Sequence, residues 1–249
     1  MAETRAQGRP VRPGSSAEPG TGPGVITPDG CAVDFYRALP AMGEPEIVHG
    51  AIPAGAGILE LGAGAGRVTH RLVALGHPVV AVDESAEMLA WVRGAGTVRA
   101  KIQNLRLHRR FDVVLLASFL VNVPDRALRG RFLTACRDHV RAGGCVVVQR
   151  HSPGWFDEAA DGERVTGGIV FRLRDLTRPG PGLVAATAEY RVGERVWTQT
   201  FTAERLDSEA LEAALAEVGL AVDAYLTGDG SWVRAVPVSS GRALGRSPR

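Results

Sequence analysis

The chain has a single lysine, Lys101, among its 29 basic residues, and its formal net charge is only +2 over 249 positions. Charge that weak gives no general attraction to a nucleic-acid backbone. The near-exclusive use of arginine, with abundant alanine and glycine, points to a GC-rich bacterial genome. There are three cysteines, Cys31, Cys136 and Cys145. Their spacing matches neither a disulfide framework nor a metal-ligand set, so they read as reduced thiols and no metal is expected. Long apolar runs are also missing. The longest, Val113 to Val123, contains Ser118 and Asn122 and falls short of a bilayer span. With no apolar h-region at the N-terminus, the expectation is a cytoplasmic chain without membrane partners. What the sequence does have is 45% hydrophobic residues and 31 glycines. That is enough for one ample core, or for one domain with an insertion.

The densest signal runs from Gly57 to Arg93. Ile58-Leu59-Glu60-Leu61 is a short apolar strand that enters three alternating glycines, Gly62, Gly64 and Gly66. From Arg67 to Leu75 the apolar spacing becomes helical, and Gly76 ends that helix. Val79 to Val82 then reads as a buried parallel strand with Asp83 at its carboxyl end. An acid about 20 residues past the first glycine of such a turn is placed to accept hydrogen bonds from a ribose. The glycine spacing is G-x-G-x-G, whereas a dinucleotide site needs G-x-G-x-x-G.

Glu60-Leu61-Gly62-Ala63-Gly64-Ala65-Gly66 resembles motif I of class I S-adenosylmethionine (SAM) dependent methyltransferases, and Asp83-Glu84-Ser85-Ala86-Glu87-Met88-Leu89 is similar to the D-x-S-x-x-M-L that follows in that family. The resemblance implies an α/β fold, a doubly wound, mostly parallel seven-stranded sheet of order 3-2-1-4-5-7-6, and SAM as cofactor. It also implies a cofactor site drawn from Glu60, Gly62, Ala63, Gly64, Gly66, Arg67, Asp83, Glu84 and Met88. The family often places an acid for the adenine amino group after the third strand, here Thr97 to Ala100. Lys101 stands there instead and cannot accept a hydrogen bond. Adenine recognition is therefore expected from backbone groups, Ile102 and Gln103.

Around this core, residues 1–24 are rich in Pro, Gly and Ser and are expected to be disordered. Residues 25–56 hold two short amphipathic helices, which the resemblance implies as a lid with Tyr36 near the site, although Phe35 and Leu39 equally suit a plain cover for the sheet. Phe111 to Leu116 is the fourth strand. The segment past its carboxyl end lies at the ligand edge of an open α/β sheet, which makes Ser118 a cofactor candidate and Asn122 a substrate candidate. Asp125 to Arg141 reads as a helix and Cys145 to Val148 as the fifth strand. His151 and Trp155 follow at the same edge. His151 is the candidate general base and a candidate pocket residue. His49 is a weaker candidate through the lid, and a surface position suffices for His70, His77, His108 and His139. Hairpin patterning over about 165–203 predicts a small antiparallel insertion, either a cover for the substrate side or a structural or dimerising sheet, so a homodimer is open. A helix from Ser208 to Val218 and a closing hairpin complete the domain, 57–238, and 239–249 reads as a flexible tail.

The function expected from the resemblance is methyl transfer from SAM to an O, N or C nucleophile of a small metabolite in bacterial natural-product biosynthesis. Absence of an Asn/Asp-Pro-Pro-aromatic motif after the fourth strand argues against a nucleic-acid base as acceptor. The alternatives are methylation of RNA or protein, SAM binding without transfer, and a nicotinamide dehydrogenase.

Overall fold

A computed structural model describes residues 19–238, so the featureless segment expected for 1–18 and the tail expected from 239 lie outside the described residues. The strand β1 (Gly20–Thr21) falls inside the stretch expected to be disordered and is followed by α1 (Val33–Ala38) and α2 (Glu44–Ala51). The core then alternates as β2 (Ile58–Leu61), α3 (Arg67–Ala74), β3 (Val79–Asp83), α4 (Ala86–Leu89) and β4 (Gly96–Arg99). Next come β5 (Phe111–Leu116), α5 (Arg126–His139), β6 (Val140–Gln149) and α6 (Trp155–Glu158). The inserted strands are β7 (Gly162–Thr166), β8 (Ile169–Thr177), β9 (Leu183–Val192) and β10 (Arg195–Glu204). The chain closes with α7 (Ser208–Ala216), β11 (Leu220–Tyr225) and β12 (Trp232–Pro237).

Seven strands form one sheet in the order β11-β12-β6-β5-β2-β3-β4, with β12 antiparallel to both neighbours. Numbered within the core alone, this is the expected 3-2-1-4-5-7-6. The central strands are apolar on both sides because helices cover both faces. Leu59, Leu61, Val114, Leu116, Val146 and Val148 pack with Phe132, Leu133 and Cys136 of α5 and Leu211 and Leu215 of α7. Ile58, Val113, Leu115 and Val147 face the other way, onto Val48 of α2 and Val68 and Leu72 of α3. Side-chain oxygens cap the helices that begin at the ligand edge or return from it: Ser85 Oγ accepts from Met88 N at 3.1 Å, and Asp125 and Asp207 do the same for α5 and α7. Helix α4 stops at Leu89, and Arg93 Nη1 binds the Ala90 carbonyl oxygen at 2.6 Å.

The insertion runs from Gly162 to Glu204, and β1 joins it, giving an antiparallel sheet of order β1-β10-β9-β8-β7. Phe35 of α1 is 1% exposed and stacks on Tyr190 at 4.1 Å, beside the fully buried Trp197. The segment ahead of the core is thereby bonded to the insertion rather than lying free over the sheet.

Candidate functional site

At the carboxyl edge of the parallel strands the backbone has to reverse sharply. Gly62, Gly64 and Gly66 all adopt positive φ, at 72°, 56° and 88°. Positive φ disfavours any side chain here, and a Cβ would also crowd its neighbours, lying 2.7 Å from Leu120 Cδ1 at Gly62 and 2.8 Å from the His70 ring at Gly66. The turn is held by Asp83. Its Oδ2 accepts from Gly64 N at 2.8 Å and its Oδ1 from Ser85 N at 2.9 Å, which leaves lone pairs on both oxygens for a ligand. Burial pushes the Asp83 carboxyl upward, opposed by those two backbone N–H groups.

Glu60 lies one layer deeper and is 3% exposed. Burial raises its carboxyl to about 7, against the pull of the Thr69 hydroxyl, which donates to it at 2.5 Å. Through Thr69, Glu60 ties β2 to helix α3 beneath the glycine turn.

After β5 the chain passes through two successive left-handed residues, Ser118 at φ 55° and Phe119 at φ 60°. Such strain persists only where surrounding bonds fix it. Here Ser118 N donates to Gln149 Oε1 at 2.8 Å and Asn122 N donates to the Phe119 carbonyl oxygen at 2.9 Å. Phe119 stacks on the His151 ring at 4.0 Å, and Trp155 stacks on its other face at 4.1 Å. Enclosed in this way, His151 is lowered to about 4 by desolvation, so its imidazole is neutral at pH 7.

These pieces bound a cavity of about 570 Å³, which reaches from Asp83, Glu84 and Ile102 to the underside of the inserted sheet. Tyr36 hangs from α1 into its roof, its hydroxyl donating to Gln199 Oε1 at 3.0 Å, and Tyr190 and residues 200–203 of β10 complete that side. Three acids, Asp29, Asp83 and Glu84, face the cavity together with one cation, Lys101, which pairs with Glu84 at 3.6 Å. The surplus of carboxylates favours a cationic ligand over a phosphate.

Among the expected cofactor residues, Gly62, Asp83, Glu84, Ile102, Gln103 and Ser118 line this cavity. Glu60, Ala63, Gly64 and Gly66 shape the turn behind it. Arg67 is directed away and pairs with Glu44 at 2.6 Å, and Met88 packs under α1 with Val33 and Ala65. Among the substrate candidates, Tyr36, Asn122 and His151 line the cavity, while Trp155 lines a neighbouring one of about 390 Å³ under β7 to β9.

Asn122, 1% exposed, has both ends of its amide engaged: Oδ1 accepts from His151 N and Nδ2 donates to the Glu204 carbonyl oxygen, each at 2.9 Å. It holds the insertion to the core. Arg129 adds a salt bridge to the Glu204 carboxylate, and Arg150 Nη1 binds the Leu206 carbonyl oxygen at 2.6 Å. His49 is far from this edge, bonded to His77 at 2.9 Å below the start of β2. His77 and His139, read from sequence as surface residues, are each 2% exposed and bind backbone groups, His77 the Ala56 carbonyl oxygen and His139 the Leu107 N–H. Asp29 and Phe119 were missed. Asp29 sits in the Thr27 to Gly30 turn, whose composition suggests only a loop, and nothing in sequence marks the positive φ that turns Phe119 onto His151.

A search of the curated proteins gives no match. The family model described as a methyltransferase domain matches residues 58–144. Among solved structures, the chain is similar in fold to the sugar N-methyltransferase KedS8 from Streptoalloteichus sp ATCC 53650, with 22% identity, TM-score 0.67 and coverage of 95% of this chain and 100% of that one. The CcbJ methyltransferase from Streptomyces caelestis has 20% identity and TM-score 0.66, covering 82% and 92%. CalS10, an amino pentose methyltransferase from Micromonospora echinaspora, has 20% identity and TM-score 0.62, covering 84% and 93%.

Proposed function

We propose that residues 58–144, which match a methyltransferase-domain model, are the core of a class I SAM-dependent enzyme, and that the protein methylates a nucleophilic nitrogen of a small, sugar-like or similarly sized metabolite in bacterial natural-product biosynthesis. The observation that carries this reading is the cavity of about 570 Å³ with an acidic floor and a roof closed by Tyr36 and β10. A roof bonded down at Pro19, Asn122 and Tyr36 leaves room for a compact acceptor and little for the surface of a macromolecule.

The lining fits the cofactor. Asp83 has free lone pairs for a ribose diol, Ile102 and Gln103 offer an apolar contact and an amide for adenine, and the side-chain-free Gly62 turn admits the amino-acid end. When bound, SAM supplies a methyl group already made electrophilic by its sulfonium. The remaining task of the chain is alignment in a closed site, which can contribute roughly 7 to 11 kcal/mol in favourable cases. Tyr36, Gln199 and Tyr190 hold the acceptor from above, and the Phe119, His151 and Trp155 stack forms a rigid wall beside it. Neutral His151 can accept a hydrogen bond from the acceptor's N–H and orient its lone pair. With a pKa of about 4 it is a weak proton acceptor, and a cationic acceptor beside it holds the imidazole neutral.

The test is to incubate the purified chain with SAM and a panel of amines, alcohols and phenols, and to measure S-adenosylhomocysteine together with methylated product. Amine turnover supports the proposal. Transfer confined to RNA or protein in a lysate, or to hydroxyls alone, contradicts it.

A further inference from the structure

The outward edge of β10 is only partly used where it meets the cavity. Alternate residues of a strand direct their amide groups to opposite edges. Thr200 N donates outward to the Pro19 carbonyl oxygen at 2.8 Å, and the Glu204 carbonyl oxygen accepts from Asn122 Nδ2 at 2.9 Å, so Thr202 between them points its N–H and C=O the same way. Among the described residues nothing bonds either group. Pro19, opposite Thr200, has no N–H to return to the Thr200 carbonyl oxygen. Thr200 to Ala203 all line the cavity, so this piece of edge borders the site, with Thr202 itself exposed.

We propose that this edge selects the acceptor, and that the acceptor carries an α-aminoacyl unit, –NH–CHR–CO–, whose N–H and C=O pair with the C=O and N–H of Thr202 as one added rung of sheet. The inference rests on the cavity being the acceptor site of a methyltransferase. The geometry asks for that unit because the N–H and C=O of one trans secondary amide point opposite ways, whereas the N–H and C=O of one amino-acid residue point the same way. A strand edge gives affinity through the main chain and leaves side-chain choice to the pocket. Here Phe201 and Ala203 lie beside the rung and Asn122 closes its end.

The probe is alanyl-alanine amide, a free amine followed by one such unit, compared with alanyl-N-methylalanine amide, which lacks the central N–H. In the full chain with S-adenosylhomocysteine, the Thr202 amide should exchange freely with solvent and become protected when the first probe is added. The N-methyl analogue should bind about 10-fold more weakly. Thr202→Pro removes the outward N–H without touching the β9 ladder and should lose the same factor. Thr202 protection in the chain without probe would mean that the chain's own residues ahead of Pro19 occupy the edge, and would overturn the proposal. Equal binding of the two probes, or no protection by the first, would also overturn it. Efficient methylation of amines lacking the unit would sink this inference while methyl transfer stands. Absence of SAM binding would sink the methyltransferase reading instead, and Thr202 protection would still report on the edge.

Discussion

Replacing Asn122 separates the role of a structural clasp from that of a substrate ligand. In Asn122→Ala two buried groups lose their partners, the His151 N–H and the Glu204 carbonyl, each bonded at 2.9 Å in the native chain. A buried polar group left unpaired costs about 1 to 3 kcal/mol, so the variant should be destabilised by about 2 to 6 kcal/mol. Asn122→Asp keeps an acceptor for His151 N and sets a carboxylate against the Glu204 carbonyl, so it should lose about as much at pH 7 and recover part of it when protonated near pH 4. Urea unfolding followed by tryptophan fluorescence measures both. Function should divide cleanly: the affinity for S-adenosylhomocysteine, set by the Asp83 floor, should stay within about twofold, while KM for the acceptor rises about 10-fold as the roof loosens. A variant of native stability with a raised KM would show Asn122 to be a direct acceptor ligand and would refute the clasp.

Three further outcomes follow from the same geometry. Asp83→Ala removes a charged acceptor from a ribose and frees the Gly64 N–H, and calorimetry should show cofactor affinity reduced at least about 10-fold, at about 1.5 to 3 kcal/mol per charged hydrogen bond. His151 has a folded pKa of about 4, below its ordinary 6.5, so its contribution is complete above pH 6.5 and is lost as pH falls toward 4. Wild-type stability relative to His151→Gln should accordingly decline over that window, by about 1 to 2 kcal/mol given the partial exposure of the ring. Glu60 is shifted the opposite way, to about 7, so its burial penalty grows as pH rises from 4.5 to 7. Glu60→Gln should therefore stabilise the fold at pH 8 by about 2 kcal/mol and leave it nearly unchanged at pH 4.5, as chemical denaturation would show.

The parallel core was legible because its signals are local. A strand, a glycine turn, an amphipathic helix and a terminal acid occur in one continuous stretch, and Gly62 to Asp83 lie where that stretch predicts. The histidines show the limit of such reading. His77 and His139 are polar in sequence but are buried through bonds to backbone groups contributed by distant segments. Asn122 was recognised as facing the crevice, but its bonds go to His151 and Glu204, the latter 82 positions away, a relation that no local pattern encodes. The roof was the least legible part. The pairing of β1 with β10, and of Phe35 with Tyr190, joins segments more than 150 residues apart, so the composition of residues 19–24 suggested only disorder.

The account stands most directly on a crystal structure of the chain soaked with S-adenosylhomocysteine. It predicts the adenosyl group between Gly62, Asp83 and Ile102, with both ribose hydroxyls on the Asp83 carboxylate and the thioether beneath Tyr36 and β10. Ligand bound outside this cavity, or with its ribose turned away from Asp83, would contradict it.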